Sequence, residues 1–238
     1  MFDHVTIRVA DRAASEQFYD TVLATLGIPK TASDEWYAEW DDFSIAEGDA
    51  PTRNLHIGFA APDRAAVDAF HEAGVRRGAR DDGPPGPRPQ YRDDYYGGFL
   101  LDPDGNSAEG VHHGGMRGDR VDHLWIRVAD VAAARDFYAA ISPYSGFTLV
   151  HDQPNRLHFR GAKSSFTLIE GPPTENAHIA FGAPDDATVD AFHAAATQAG
   201  YRDNGEPGER PVYHPGYYGA YVLDPDGNNV ELVSHNRD

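Results

Sequence analysis

Residues 3–11 read Asp-His-Val-Thr-Ile-Arg-Val-Ala-Asp, and residues 122–130 read Asp-His-Leu-Trp-Ile-Arg-Val-Ala-Asp. Two more pairs of similar segments follow in the same order along the chain: 56–60 with 178–182, and 102–106 with 224–228. Similarity at a nearly constant offset indicates a duplicated structural unit. The repeat therefore predicts two homologous domains, 1–113 and 121–238, joined by a linker at 114–120.

Each copy of the repeat contains two halves of similar pattern. Val5, Ile7 and Val9 alternate with polar residues, which is typical of a strand with two different faces. Asp11 is then a helix N-cap signal, and apolar residues at helical spacing follow it. The same order restarts at residues 55–60, and each copy ends in two strands around an Asp-Gly turn. The pattern predicts an α+β fold, with two β-α-β-β-β units and curved antiparallel sheets in each domain.

Composition excludes several classes of protein. The 238 residues include 20 basic and 38 acidic side chains, so the formal net charge is −18. Such an excess of acid disfavours binding to nucleic acid or to an anionic membrane. The absence of cysteine excludes disulfides, thiolate zinc sites and cysteine nucleophiles. No apolar run is long enough to cross a bilayer, and the first residues lack a secretion signal, so we expect a cytoplasmic protein.

One constellation of possible metal ligands occurs in both copies, whereas phosphate-binding, dinucleotide-binding and nucleophile-elbow motifs are missing. Each candidate histidine begins the first strand of a β-α-β-β-β unit, and each glutamate follows an Asp-Gly turn. The residues are His4, His56 and Glu109 in the first copy, and His123, His178 and Glu231 in the second. Two histidines and a carboxylate suit a divalent metal with open positions, namely Fe²⁺, Mn²⁺, Ni²⁺, Co²⁺ or Zn²⁺. A structural, hydrogen-bonded role for such histidines is the alternative.

The chain resembles the vicinal oxygen chelate superfamily, which contains glyoxalase I, extradiol dioxygenases, fosfomycin-resistance transferases and bleomycin-binding proteins. The resemblance rests on the first-strand histidines, on the Phe-Tyr pairs at 18–19 and 137–138, and on the Asp-Pro-Asp-Gly-Asn turns at 102–106 and 224–228. It implies paired β-α-β-β-β units that form a half-open barrel around a metal. It also implies that each domain takes its three ligands from its own copy of the repeat.

A closer likeness to the dioxygenases implies a catalytic residue. Those enzymes carry a tyrosine ten residues before the ligand glutamate, and Tyr221 has that relation to Glu231. The first copy has Phe99 at the equivalent position, so the second domain is the better candidate for an active site. The acid–base histidine of the dioxygenases has no counterpart in residues 163–166. Glyoxalase I uses a further glutamate, for which Glu47 and Glu170 are nominal candidates with a rim position as the simpler interpretation.

Other residues have candidate roles around these ligands. Arg8 and Arg127 share a strand face with the first-strand histidines and would bind an anionic substrate or form a structural ion pair. Tyr217 and Tyr218 are candidates for the wall of a substrate pocket. His214 is present only in the second copy, which makes it a candidate for proton transfer.

Two functions of different classes fit these features. The first is a metalloenzyme that acts on a small molecule with neighbouring oxygen atoms, with Tyr221 as acid or base. The second is a metal-free protein that sequesters a small, cationic, bleomycin-type compound, which the net charge favours. A chain in which only one copy keeps a metal is a third possibility. Because two domains on one chain can replace a dimer, a pseudo-dimeric monomer and a homodimer are both compatible with the sequence.

Overall fold

The computed structural model describes residues 2–114 and 118–236. The described helices are α1 (Arg12–Thr25), α2 (Arg64–Arg76), α3 (Val131–Ser145) and α4 (Asp186–Gln198). The strands of the first copy are β1 (Phe2–Val9), β2 (Ala32–Ser33), β3 (Tyr37–Trp40), β4 (Phe43–Glu47), β5 (Leu55–Ala60), β6 (Arg80–Pro87), β7 (Tyr96–Leu101) and β8 (Ser107–His112). Those of the second are β9 (Val121–Val128), β10 (Thr148–Gln153), β11 (Arg156–Arg160), β12 (Ser165–Glu170), β13 (Ala177–Gly182), β14 (Asp203–Glu209), β15 (Tyr217–Leu223) and β16 (Asn229–His235). The order confirms the predicted α+β fold of four β-α-β-β-β units.

The chain divides into two compact units whose bounds differ from those of the repeats. Unit one comprises Met1–Val5 and Ile126–Asp238, and unit two comprises Thr6–Trp125. The division passes through β1 and β9, so the first residues of each copy fold with the rest of the other copy. The domain limits 1–113 and 121–238 thus remain a prediction about the repeat. The predicted linker at 114–120 includes residues 115–117, which lie outside the described residues.

Each unit contains a parallel strand pair, although we expected antiparallel sheets. In unit two the hydrogen-bonded order is β9-β5-β8-β7-β6, and β5 pairs with β8 in parallel. In unit one the order is β14-β15-β16-β13-β1, and β13 pairs with β16 in parallel. The reason is directional. The helix and the following hairpin strands reverse the chain four times, so the last strand of a β-α-β-β-β unit runs the same way as the first.

Two segments rich in proline and glycine, a composition typical of loops, are edge strands. Residues 84–87 lie in β6 and residues 205–208 lie in β14, and each strand pairs with one neighbour only in the strand order of its unit. Proline has no N–H to donate, and an edge strand needs donors on one side only. The register of both pairs also shifts near their glycines, which is how such segments remain in the sheet despite their composition.

Aspartate caps and aromatic cores hold the elements in place. The Asp11 carboxylate accepts a hydrogen bond from the Ala14 N–H, which confirms the predicted N-cap of α1. The aromatic residues Tyr19, Trp40, Phe43 and Phe59 pack together in the core of unit two, and Phe2, Phe147, Phe166 and Phe181 do so in unit one. No helix among the described residues has the length and apolar character needed to cross a membrane.

Candidate metal centres

Unit two brings two histidines and a glutamate together, and we call this cluster site two. His56 lies on β5, Glu109 on β8 and His123 on β9. Glu109 Oε2 lies 3.0 Å from His56 Nε2 and 3.3 Å from His123 Nε2. The two Nε2 atoms are 3.3 Å apart. Three potential ligand atoms therefore converge on one point.

Unit one contains the equivalent cluster, site one. His178 Nε2 lies 3.0 Å from Glu231 Oε2 and 3.0 Å from His4 Nε2, and His4 Nε2 lies 3.5 Å from the same carboxylate oxygen. Glu231 is 1% exposed, and its Oε2 atom accepts no hydrogen bond of acceptable geometry. A buried carboxylate oxygen without a hydrogen-bond donor is costly unless a cation binds it.

The grouping of the six candidate ligands corrects the expectation drawn from the repeat. His4 lies with His178 and Glu231, and His123 lies with His56 and Glu109, so the two first-strand histidines are exchanged between the copies. The cause is strand order, because β1 neighbours β13 in unit one and β9 neighbours β5 in unit two. All six predicted ligand residues are present in the clusters, but each cluster draws on both copies.

Small residues beside the clusters make room for the ligand side chains. A Cβ atom on Gly58 would overlap the His123 ring, and a Cβ atom on Gly97 would overlap Glu109 Oε1. In site one, a Cβ atom on Gly219 would lie only 2.6 Å from Glu231 Oε1. The glycines on these strands therefore let the ligand groups lie flat against the backbone of a neighbouring strand.

The spacing of the ligand atoms fits a divalent metal. Nitrogen and oxygen ligands bind zinc at about 2.1 Å, so two ligands at a right angle are about 3.0 Å apart and two at the tetrahedral angle about 3.4 Å. The separations within both clusters, 3.0–3.5 Å, span those two values. Each cluster is also a set of two imidazoles and one carboxylate on one side of a point, which leaves coordination positions for a substrate.

Further hydrogen bonds orient the ligands. His4 and His123 each place Nδ1 against the carboxylate of the preceding residue, at 2.9 Å from Asp3 and 3.0 Å from Asp122. The glutamates are held by hydroxyl groups, since Tyr95 donates to Glu109 Oε1 at 2.8 Å and Tyr217 donates to Glu231 Oε1 at 2.6 Å. In metal sites such partners fix the ring orientation and raise the basicity of the ligand.

Burial and neighbouring charges have opposite effects on the pKa values of the acidic and basic groups in the clusters. Burial raises the pKa of Glu109 and Glu231, but the neighbouring histidines outweigh that effect, so the pKa of both carboxyls lies below the usual value. Burial lowers the pKa of His123, yet Asp122 and Glu109 raise it to about 9. Because metal ligands must lose these protons, metal binding to the clusters would release protons.

The two sites differ in the groups around them. Tyr221 pairs with Glu231 across β15 and β16, and its ring centroid lies 6.2 Å from that of His178. Phe99 has the equivalent place in site two, 5.9 Å from His56, and the ring of Trp125 lies 5.6 Å from the same histidine. Burial and the Glu231 carboxylate raise the pKa of Tyr221, so that its phenol keeps its proton. Site one has a hydroxyl group where site two has an aromatic wall.

The predicted pocket tyrosines make other contacts. Tyr217 donates its hydroxyl proton to Glu231, and it is therefore part of the carboxylate's support. Tyr218 lies on the opposite face of β15 from Tyr217 and Tyr221, and its hydroxyl group donates to Asp190 on α4 at 2.8 Å. Strand alternation explains the difference, and we withdraw Tyr218 from the predicted pocket.

The predicted arginines and the additional glutamates lie at the surface. Arg8 is exposed in unit two beside Gly48, and Arg127 is exposed in unit one beside Gly171. Their role in substrate binding stays a prediction. Glu47 and Glu170, at the ends of their strands, are exposed and belong to neither cluster, as the rim interpretation expects.

His214 contacts a residue that sequence reasoning missed. Its Nε2 atom lies 2.9 Å from Nδ1 of His235, and His235 Nε2 lies 2.9 Å from Asp3 Oδ2. The signal was available in the repeat, because the Asp-His dipeptide opens both copies and His235 matches His113 at the offset of the second half.

Comparison with known proteins gives one family match and several similar folds. Residues 120–232 match the Glyoxalase/Bleomycin resistance protein/Dioxygenase superfamily. The structure is similar to glyoxalase I from Zea mays, with a TM-score of 0.70 and 19% identity over 98% of this chain and 92% of that one. It is also similar to a Bacillus subtilis subsp. subtilis str. 168 protein described provisionally as a dioxygenase, with a TM-score of 0.67 and 14% identity over 99% of this chain and 85% of that one.

A shorter match concerns half of the chain. A glyoxalase/bleomycin resistance protein from Albidiferax ferrireducens T118 is 34% identical over 48% of this chain and 98% of its own, with a TM-score of 0.43. No curated protein sequence matches the chain. The two whole-length similarities establish the fold of paired β-α-β-β-β units.

Proposed function

Residues 120–232 belong to the glyoxalase/bleomycin resistance protein/dioxygenase superfamily, and from that premise we propose that the chain is a metal-dependent enzyme. Its substrate would be a small organic molecule that binds the metal through neighbouring oxygen atoms. The observation that carries the proposal is the convergence of His4, His178 and Glu231 on one point, with a buried carboxylate oxygen that accepts no hydrogen bond.

Site one is proposed as the reacting centre because the residue that pairs with its glutamate on the neighbouring strand is Tyr221, whereas Phe99 pairs with Glu109 in site two. A divalent metal held there would polarise the substrate oxygens and stabilise negative charge that develops on them. Tyr221 holds a proton on its Oη atom and can donate it to a substrate oxygen, while Tyr217 keeps Glu231 in place.

Site two is proposed as a metal site with a different task. Phe99 has no proton to donate, and Phe99 and Trp125 cover one side of His56 with apolar rings. Such a wall excludes water and suits a flat apolar ligand or a purely structural ion. Two chemically different sites on one chain follow from a duplication in which only one copy has the tyrosine.

Metal content per chain tests the proposal. Untagged protein would be analysed by inductively coupled plasma mass spectrometry, beside variants in which His178 or Glu231 is changed to alanine. The control changes His193, which contacts Asp203 and belongs to neither cluster, to glutamine. We expect one ion for each cluster in the parent protein, loss of the site-one ion in the first two variants, and no change in the control. Absence of metal after incubation with each candidate ion would contradict the proposal and favour the metal-free binding protein.

The role of Tyr221 requires a separate measurement. With a panel of catechols and α-hydroxycarbonyl compounds, Tyr221→Phe should lower kcat by roughly 10²–10⁴-fold, the usual worth of a general acid. Metal content should stay at the parent level, because Tyr217 rather than Tyr221 is the closer support of Glu231. Activity equal to that of the parent protein would remove Tyr221 from the mechanism.

A further inference from the structure

A chain of hydrogen bonds leads from site one to the protein surface. Asp3 places one carboxylate oxygen 2.9 Å from His4 Nδ1 and the other 2.9 Å from His235 Nε2. His235 Nδ1 lies 2.9 Å from His214 Nε2, and His214 Nδ1 lies 2.7 Å from the Pro215 carbonyl oxygen. His214 is half-buried, so the chain joins a ligand imidazole to a group that water reaches.

The number of protons on His214 and His235 follows from their partners. A carbonyl oxygen only accepts, so His214 Nδ1 must carry a proton, and a carboxylate only accepts, so His235 Nε2 must carry one. One further proton must lie between His214 Nε2 and His235 Nδ1 for them to bond. The three contacts therefore require three protons on two imidazoles. Two neutral rings have only two, so the pair carries one extra proton and one positive charge.

The charges around the pair are consistent with that count. Among the described residues, the titratable groups in contact with the two rings are the Asp3 carboxylate on β1 and the Tyr217 phenol on β15. The Tyr217 ring centroid lies 5.4 Å from that of His214 and 5.3 Å from that of His235. Burial raises the pKa of Asp3, but hydrogen bonds from His235 and His4 bring it well below the usual range, so the carboxylate is ionised. A negative carboxylate beside the pair stabilises its positive charge.

Site two has no such pair and serves as an internal comparison. Asp122 bridges His123 Nδ1 and His113 Nε2, as Asp3 bridges His4 and His235. The series ends there, because His113 Nδ1 is buried and has no hydrogen-bond partner, and the residue equivalent to His214 is Arg92. Arg92 instead forms an ion pair with Asp94. His113 therefore needs only the single proton of a neutral ring.

We propose that the His214–His235 pair stores one proton in the metal-free protein and releases it to solvent when a divalent cation binds site one. The proposal rests on metal binding at site one, as argued under the proposed function. The cation brings positive charge close to a positive pair that is linked to it through Asp3 and His4, and the repulsion favours loss of the proton. The proton leaves through His214, and two neutral imidazoles remain.

Release of the proton has a structural effect on the chain itself. Two neutral imidazoles can satisfy only two of the three contacts, so the bond between the rings or the bond to Pro215 is lost. The hydrogen bond from His235 to Asp3 is retained, because a hydrogen bond to an ionised carboxylate is stronger than one between neutral groups. His214 and His235 thus act as positioning residues for Asp3 and, through it, for His4.

The proton count is measured first in metal-free protein. With ¹⁵N-labelled histidine, side-chain NMR near neutral pH should show one doubly protonated ring, or one proton shared between two rings, assigned to His214 and His235. The signal should be lost in His214→Gln, whose amide can donate to His235 without an extra proton, and should persist in the control His193→Gln. Arg92→His should create a second such pair with His113. Two neutral rings at positions 214 and 235 in the parent protein would overturn the proposal.

Proton release is then measured with Zn²⁺ alone, in a His56→Ala background that leaves site one intact. Titration calorimetry in buffers of different ionisation enthalpy gives the number of protons released for each ion bound. We expect the His56→Ala protein to release up to one proton more for each Zn²⁺ ion than the His56→Ala/His214→Gln protein. The protons released by His4, His178 and Glu231 are the same in both proteins and do not contribute to the difference. Equal counts would overturn the release step while Zn²⁺ binding stands. Failure of Zn²⁺ to bind would instead contradict the proposed function, and with it the release step, and the NMR count would still decide the stored proton.

Discussion

Single positions near the clusters decide whether the ligand side chains can approach one another. Gly58 lies on β5 at the point where the His123 ring crosses it, and any side chain there would overlap the ring. The equivalent residue beside His4 is Ala180, so the two sites do not have the same tolerance. His123 is 6% exposed and His4 about half-buried, which agrees with the closer fit in site two.

Substitution of Gly58 by alanine should therefore weaken metal binding at site two alone. We expect a loss of about 10–100-fold in affinity, which is typical when a residue that orients a ligand is disturbed. Equilibrium dialysis with Zn²⁺ in a His178→Ala background would measure site two by itself. Gly182→Ala is the control, since its Cβ atom would lie no closer than 3.8 Å to Asp3. An unchanged affinity in Gly58→Ala would show that the His123 ring can move aside without loss of metal binding.

A pair of equivalent tyrosines predicts unequal effects on stability. The Tyr19 hydroxyl group donates to the buried Asp102 carboxylate at 2.9 Å, whereas the buried hydroxyl of Tyr138, its counterpart, has no hydrogen-bond partner. Tyr19→Phe should lower the free energy of unfolding by about 1–3 kcal/mol, because a buried carboxylate loses a donor. Tyr138→Phe should change it by less than about 0.5 kcal/mol or raise it. Urea unfolding of both variants measures the difference, and equal losses would contradict it.

At the scale of elements, the hairpin between β3 and β4 is joined to the start of β9 by one carboxylate. Asp42 accepts hydrogen bonds from the backbone N–H groups of Arg120 and Val121. Burial raises the pKa of Asp42 to about 7, although those hydrogen bonds oppose the shift. A carboxyl whose pKa is higher in the folded state favours the folded state most when it is neutral. Its contribution therefore falls as the pH rises from about 4 to about 7.

Asp42→Asn should remove this dependence and keep an acceptor for the two N–H groups. The shift corresponds to at most about 4 kcal/mol, and partial exposure reduces it, so we expect a gain on the order of 1–2 kcal/mol above pH 7 and almost none below pH 4. Urea unfolding at about pH 5 and pH 8 provides the test. Asp41→Asn, which removes an exposed ion pair with Arg120, should change stability by less than about 0.5 kcal/mol at either pH. A gain independent of pH would contradict this account.

The elements also show where sequence reasoning reaches its limit. The repeat and the strand periodicity predicted the order of helices and strands, because amphipathic patterns are local. Composition suggested loops at residues 84–87 and 205–208, and the structure has edge strands there, since proline is acceptable where only one side of a strand is paired. Local patterns do not report which side of a strand is free, so this information appears only with the strand order.

At the scale of the whole molecule, the assignment of ligands to sites had the same origin. The repeat identified the six residues that form the two clusters, and equivalence between copies suggested that each copy completes its own set. Duplication shows which residues correspond, but it does not show which strands become neighbours. The pairing of His4 with His178 and Glu231 depends on β1 lying beside β13, a contact between segments more than 170 residues apart.

Double variants test this grouping directly. If His4 and His178 serve one site, the variant His4→Ala/His178→Ala should retain one metal ion per chain, at His56, Glu109 and His123. The variant His4→Ala/His56→Ala should retain none, because each change damages a different site. The reverse result would restore the grouping by copies. Metal analysis after gel filtration gives both numbers, and circular dichroism of each variant checks that the fold is intact.

Neither repeat, separated from the other, would contain a complete cluster of two histidines and a glutamate. Residues 1–113 would retain His56 and Glu109 without His123, and residues 121–238 would retain His178 and Glu231 without His4. A half-length ancestor of this chain could thus have completed the cluster only as a dimer in which each molecule contributes its first-strand histidine to the site of the other. Fusion of two such genes would place both exchanged histidines on one chain. The two histidines, and the surroundings of each, could then evolve separately.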